Sequence, residues 1–225
     1  MNVEDALAAL GSAPEKAAEM AAYHKVPRVY LGVSNPDIDA LTKAWRTELS
    51  LDARCDLAEA LWSTDIHDAR IAAAKLFTQA RIKPDDAQVW KIIQSWVPQF
   101  DAWAIADAVG IAGQKRLLAD PSRVDVLEGW TTSDHLWTKR AALVMTLPWT
   151  KQNFPKPQEL AIRDRVLGWA AGYTTDSEWF IQKAIAWWIR ELSKHDAERA
   201  SAFLAEYGGQ MRPSLQKEAR RLLRD

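Results

Sequence analysis

Apolar residues recur at three- and four-residue spacing along almost the whole of this 225-residue chain, the period of amphipathic helices and not of strands. Glycine is scarce, with 9 residues, and the 10 prolines fall between periodic segments. No β-hairpin signal interrupts the pattern. It predicts an all-α protein with helices at about 14–24, 36–49, 52–63, 67–80, 85–96, 99–109, 112–119, 121–130, 133–147, 156–171, 176–194, 196–207 and 213–224, some of them merging. Start signals agree: Asn35 followed by Pro36, Pro84 before DDAQVWKIIQSW, Ser133 before DHLWTKRAALVMTL, and a Thr175 to Glu178 capping-box spacing before FIQKAIAWWIREL.

Short helices joined by short polar turns, without long heptads, fit helix pairs stacked as a solenoid in one domain over 1–225, although no strict repeat marks the units. At 48% hydrophobic and 26% charged, the chain reads as globular. No run approaches the roughly 18 to 20 apolar residues of a membrane span, and MNVEDALAALGSAPEK lacks a signal peptide's basic start, so the expected compartment is the cytoplasm. A single cysteine, Cys55, excludes an intramolecular disulfide or a Cys-x-x-Cys site and is expected to be a buried apolar residue. His24, His67, His135 and His195 show no ligand spacing; neither metal nor cofactor is expected. Net charge is −1, unevenly spread: residues 1–112 hold 11 Lys and Arg against 16 Asp and Glu, residues 113–225 hold 18 against 14. The second half has the charge for a basic face, or for ordinary scattered solvated charge.

Three predicted helices carry residues in unusual places. In 99–109, Phe100, Trp103 and Asp107 fall on one side and Ile105 and Val109 on the other; a carboxylate against indole is costly unless it is paired or hydrogen-bonded. In 133–147, Arg140 projects from a stripe of Leu136, Trp137, Leu143, Val144 and Leu147 and requires either a carboxylate such as Asp107 or a phosphate brought by a ligand. In 176–194, Ile181, Ala184, Ile185, Trp188 and Leu192 form a core stripe, while Lys183, Trp187, Arg190 and Lys194 alternate cation and indole on the outward face. That second stripe suits a phosphate backbone, or is a solvated face with one exposed tryptophan.

At these residues the sequence resembles the AlkD-type DNA alkylation repair glycosylases, built from HEAT-like helical repeats. The resemblance covers nearly the whole chain and rests on YHKVPRVYLGV (23–33), LWSTDIHDARIAAAKLF (61–77), WAIAD (103–107), SDHLWTKRAAL (133–143), FIQKAIAWWIRELSK (180–194) and FLAEYGGQMRPSLQKEARRLL (203–223). It implies a concave solenoid gripping duplex DNA that carries cationic 3- and 7-alkylpurines, excised without flipping the base into a pocket, by a monomer with no membrane partner. It implies also that Trp103, Asp107 and Trp187 line the catalytic site. Arg140 and Arg190 would lie in the DNA-contacting region, with Lys183 and Lys194 on the same face, and Tyr23 near the lesion strand. Where the family pattern has an acidic residue directly after the first tryptophan, this chain has Ala104, and it has Ala106 beyond that.

The residue chemistry agrees. Breaking an N-glycosidic bond builds positive charge on deoxyribose, which an anion and electron-rich ring faces stabilise. A cationic alkylpurine leaves neutral and needs no acid, so one carboxylate, Asp107, would suffice to stabilise the sugar cation and to position or deprotonate water. Two other readings are a non-catalytic module for damaged or branched DNA and a protein-interaction scaffold whose α-helical face binds a peptide.

Overall fold

The computed structural model describes residues 1–223, and among them the chain is helical with no strand. The helices group into two compact units, Met1–Ala119 and Asp120–Asp225. The first holds α1 (Val3–Leu10), α2 (Pro14–His24), α3 (Asn35–Glu48), α4 (Leu51–Ser63), α5 (His67–Lys75), α6 (Ala87–Trp96) and α7 (Trp103–Ala119). The second holds α8 (Val124–Trp130), α9 (Leu136–Met145), α10 (Pro157–Gly172), α11 (Trp179–Ser193), α12 (Ala197–Glu206) and α13 (Pro213–Arg220). Among the described residues no helix is long and apolar enough to cross a membrane.

The predicted helices are present, with one addition, one merger of the kind expected and one shifted start. Helix α1 was not foreseen. The segments 99–109 and 112–119 are one helix, α7, because Gly110 and Gly113 are both buried within it, where tight packing outweighs their low helix propensity. That helix begins at Trp103, so Phe100 belongs to the connection before it and is 1% exposed, a core residue packed edge-on to Trp62. Caps also differ. Ser34, not Asn35, precedes α3 and accepts from the Asp37 N–H. Thr175 and Glu178 form no capping box; Asp176 accepts from the Glu178 N–H instead, at 2.8 Å.

In the first unit α5 is central, packed against α3, α4 and α7. Its neighbours share an aromatic stack: Trp62 lies parallel to Trp96 at 4.4 Å, Phe77 stacks on Trp96, and the Arg70 guanidinium sits 4.6 Å over Trp62. Such large rings bury much apolar surface. In the second unit α11 packs on α9, α12 and α13, and Trp188, fully buried, donates its indole N–H to Thr146.

Cys55 is fully buried in α4, and burial pushes its thiol up to about 11 despite the Arg54 charge alongside. The folded protein is therefore expected to be inert to a thiol-specific disulfide reagent at pH 8 and to react with one equivalent once unfolded in denaturant; prompt reaction in the native state would contradict the burial.

Candidate functional site

The first unit contains a cavity of about 600 Å³ between α2, α3, α5 and α7. Helix α7 supplies Trp103, Ala104, Asp107, Ala108 and Ile111 to one wall. Its opposite side, Ile105, Ala106 and Val109, is buried, so the helix has the two faces its periodicity predicts. Trp103 and Asp107, four residues and about one turn apart, are both half-buried and open onto the same space. Tyr23, 70% exposed, faces Trp103 edge-on at 6.0 Å across the cavity mouth.

Behind Trp103 lies a group that sequence reasoning missed. The His24 ring is 5.3 Å from Trp103 and 4.6 Å from His67, and Tyr30 stacks against both histidines. His24 and His67 are 43 positions apart in the chain, and no local pattern announces their contact. The Nδ1 atom of His24 is sealed from solvent and, among the described residues, has no hydrogen-bond partner. Burial pushes His67 down to about 4, helped by the His24 and Arg28 charges and opposed by Asp68; burial likewise lowers His24. Both rings are thus neutral at pH 7 and offer no cation to compete for Asp107.

These depressions make stability pH-dependent. The unfolded chain takes up protons at about pH 6.5 that the folded chain refuses until about pH 4. The stabilising contribution of neutral His67 is complete above about pH 6.5 and is lost as pH falls toward 4. Thermal melts are expected to show Tm falling between pH 7 and pH 5, with a shallower fall in His67→Gln; an equal fall in both proteins would contradict this.

The alignment of Tyr23 with Trp103 has identifiable supports. Lys25 ends α2 in the left-handed conformation, and residues 25–34 fold back over α5. Ala13 N–H donates to the Leu31 carbonyl at 2.8 Å, and His67 N–H to that of Val29 at 2.9 Å. The fully buried Asp68 accepts from the N–H groups of Leu31 and Val33 at 2.7 and 2.8 Å. Arg28, its side chain 2% exposed, reaches Asp65 at 3.0 Å and bonds Asp101 just ahead of α7. One guanidinium therefore ties the segment following Tyr23 to the segment preceding Trp103. The rim carries a further ion pair, Lys75 with Asp39 at 2.7 Å.

The second unit places the remaining predicted residues. On α11, Ile181, Ala184, Ile185, Trp188 and Leu192 are buried as a core stripe, while Lys183, and Lys194 just past the helix end, are exposed and Trp187 and Arg190 half-buried, as the two-stripe pattern predicts. The stripe is less cationic than its spacing implies. Arg190 bonds Glu218 at 2.5 Å and lies 3.5 Å from Glu191, which Lys194 also engages at 2.7 Å. Burial works against the Glu191 anion, but Lys194, Arg190 and Lys151 together hold its carboxyl below the usual range. Arg140 is buried, 4% exposed, with its guanidinium 5.7 Å from the Trp137 ring, in keeping with its place within an apolar stripe. Among the described residues no group of three or more His, Cys, Asp or Glu side chains is placed to hold a metal ion.

The solved structures similar to this chain include one described as a predicted DNA alkylation repair enzyme from Enterococcus faecalis, with a TM-score of 0.80 and 23% identity over 95% of this chain and 97% of that one. AlkD2 from Streptococcus mutans matches with a TM-score of 0.65 and 13% identity over 94% and 99% of the two chains. The protein smu.31 from Streptococcus mutans UA159 matches at 0.64, with 14% identity over 84% and 92%. These likenesses establish a shared helical-repeat fold. No curated protein matches the chain. Residues 3–223 match the family described as DNA alkylation repair enzyme, and with nearly the whole sequence inside that match, the chain belongs to the DNA alkylation repair enzyme family.

Proposed function

We propose that the protein is a DNA glycosylase that hydrolyses the N-glycosidic bond of cationic alkylated purines, such as 3-methyladenine and 7-methylguanine, in duplex DNA. The observation that carries this reading is the grouping of Asp107, Trp103 and Tyr23 around one cavity with a neutral histidine pair behind it. A cationic base is attracted to the indole and phenol faces. As the bond lengthens, positive charge moves from base to sugar, and a carboxylate that gains nothing from the neutral product favours the transition state over either end state. Asp107 then holds the attacking water and takes its proton. The base departs neutral, so no second acid is required.

In the second unit, Lys183, Trp187, Arg190 and Lys194 form the DNA-contacting face, with Lys183 the cation least compensated by carboxylates. The Arg190 and Lys194 pairs with Glu218 and Glu191 must open to receive phosphate, which lowers affinity, while each phosphate contact that forms makes binding weaken with salt. Free 3-methyladenine and 7-methylguanine measured after incubation of the protein with methylated duplex DNA test the reading; salt-sensitive binding with no base released would favour a non-catalytic DNA module instead.

A further inference from the structure

One connection in the second unit holds a large apolar side chain in solvent on a fixed base. Phe154, in the segment 151–156 ahead of α10, is 96% exposed. Its two predecessors are tied down. Arg163, 1% exposed, donates from Nη2 to the carbonyl of Gln152 at 2.6 Å and from Nε to that of Trp149 at 2.7 Å. The His195 Nδ1 lies 2.6 Å from Oδ1 of Asn153. Pro155 follows and restricts Phe154 to extended backbone. The ring is thus projected from a clamped segment.

A single exposed phenylalanine is ordinary; its surroundings give this one a direction. Lys151 and Lys156 bracket it, both exposed, and among the described residues neither makes an ion pair. Lys194 is exposed beside His195, the residue that holds Asn153. The nearby carboxylates are already engaged: Asp196 by Arg163 and Arg199 at 3.1 and 3.0 Å, Glu191 by Lys194, and Glu159 by the backbone N–H of Lys156 at 2.7 Å. An aromatic tip between two exposed lysines that form no ion pair among the described residues, Lys151 feeling only the longer-range field of Glu191, complements a polyanion that offers an apolar interior. Duplex DNA has that composition: phosphates outside, and base steps that a phenylalanine can wedge apart from the minor groove.

We infer that segment 151–156 is a second DNA-contacting element, in which Phe154 inserts at a base step while Lys151 and Lys156 take flanking phosphates. The inference rests on DNA being the substrate, but not on Asp107 being catalytic. It is tested with duplexes carrying 2-aminopurine, whose fluorescence rises when a step is unstacked. Wild-type protein is expected to raise the signal. Phe154→Ala is expected to abolish the rise and to bind about 10-fold more weakly, with unchanged Tm, since the ring packs on nothing. The Lys151→Ala, Lys156→Ala double variant is expected to keep the rise at low salt while the slope of log affinity against log salt flattens by about 2.

Equal affinity and an equal rise in wild type and Phe154→Ala would overturn the inference, as would a Phe154→Ala effect confined to self-association in sedimentation. Base release is measured on the same samples. Release without Phe154-dependent unstacking removes only the wedge, and Phe154-dependent unstacking without release removes only the glycosylase assignment.

Discussion

Asp107→Asn is expected to release alkylated purine about 100- to 1,000-fold more slowly than wild type while binding the same duplex with similar affinity. Asparagine matches aspartate in volume, so the wall formed with Trp103 and Ala104 keeps its shape, but it cannot supply the negative charge that the developing sugar cation requires. Binding draws on the lysine and arginine contacts instead, and these are untouched. Single-turnover release of 7-methylguanine, with anisotropy on the same duplex, separates the two effects. Because Asp107 also makes interactions within the fold, the thermal melt of the variant is part of the experiment. Full activity in a normally folded Asp107→Asn protein would assign the carboxylate a structural role.

The spacing of Trp103 and Asp107 was readable because one helical turn links them and everything needed lies within five residues. The same locality made the two stripes of α11 readable, since a 3.6-residue period alone separates Trp187 from Trp188. Glu191, three residues before Lys194, is equally local, and its i, i+3 spacing is the signal for the pair that reduces the charge of the stripe. Phe100 misled for a physical reason: apolar periodicity continues through the connection 97–102, where a short 3-10 turn and Pro98 reset the phase before α7 begins. The aromatic and ionic supports of the site were beyond any local pattern. His24 meets His67, and Arg28 bridges to Asp101 across 73 positions; such contacts exist only once α2, α5 and α7 have packed. The family resemblance drew its residues from the locally readable set, and the structure adds what holds them in place.

The strongest of these supports is Asp68, and Asp68→Ala is expected to cost about 3 kcal/mol of stability and to abolish measurable base release at 37 °C. Both carboxylate oxygens are used, one by each N–H flanking Gly32, and removing them strands two largely buried donors at about 1–3 kcal/mol each. The loop has little freedom to find other partners. Gly32 lies at φ +80°, and a Cβ there would meet the Ala13 carbonyl at 2.4 Å and the Ala17 nitrogen at 2.6 Å, so the backbone is pressed against the first turn of α2. With Asp68 gone, the 25–34 segment is left on α5 with the His67 N–H to Val29 bond, and the placement of Tyr23 and His24 against Trp103 loosens. The same carboxylate sits in the first turn of α5, where it also favours the helix dipole. Thermal melts should show Tm lowered by about 10 °C. Asp68→Asn should fall between wild type and Asp68→Ala, since its amide oxygen still accepts one N–H while its NH₂ opposes the other. If Asp68→Ala melts like wild type, the loop is held by something other than these two bonds; if it melts early but releases base normally at 15 °C, the wall of Tyr23 and His24 contributes stability without contributing to catalysis.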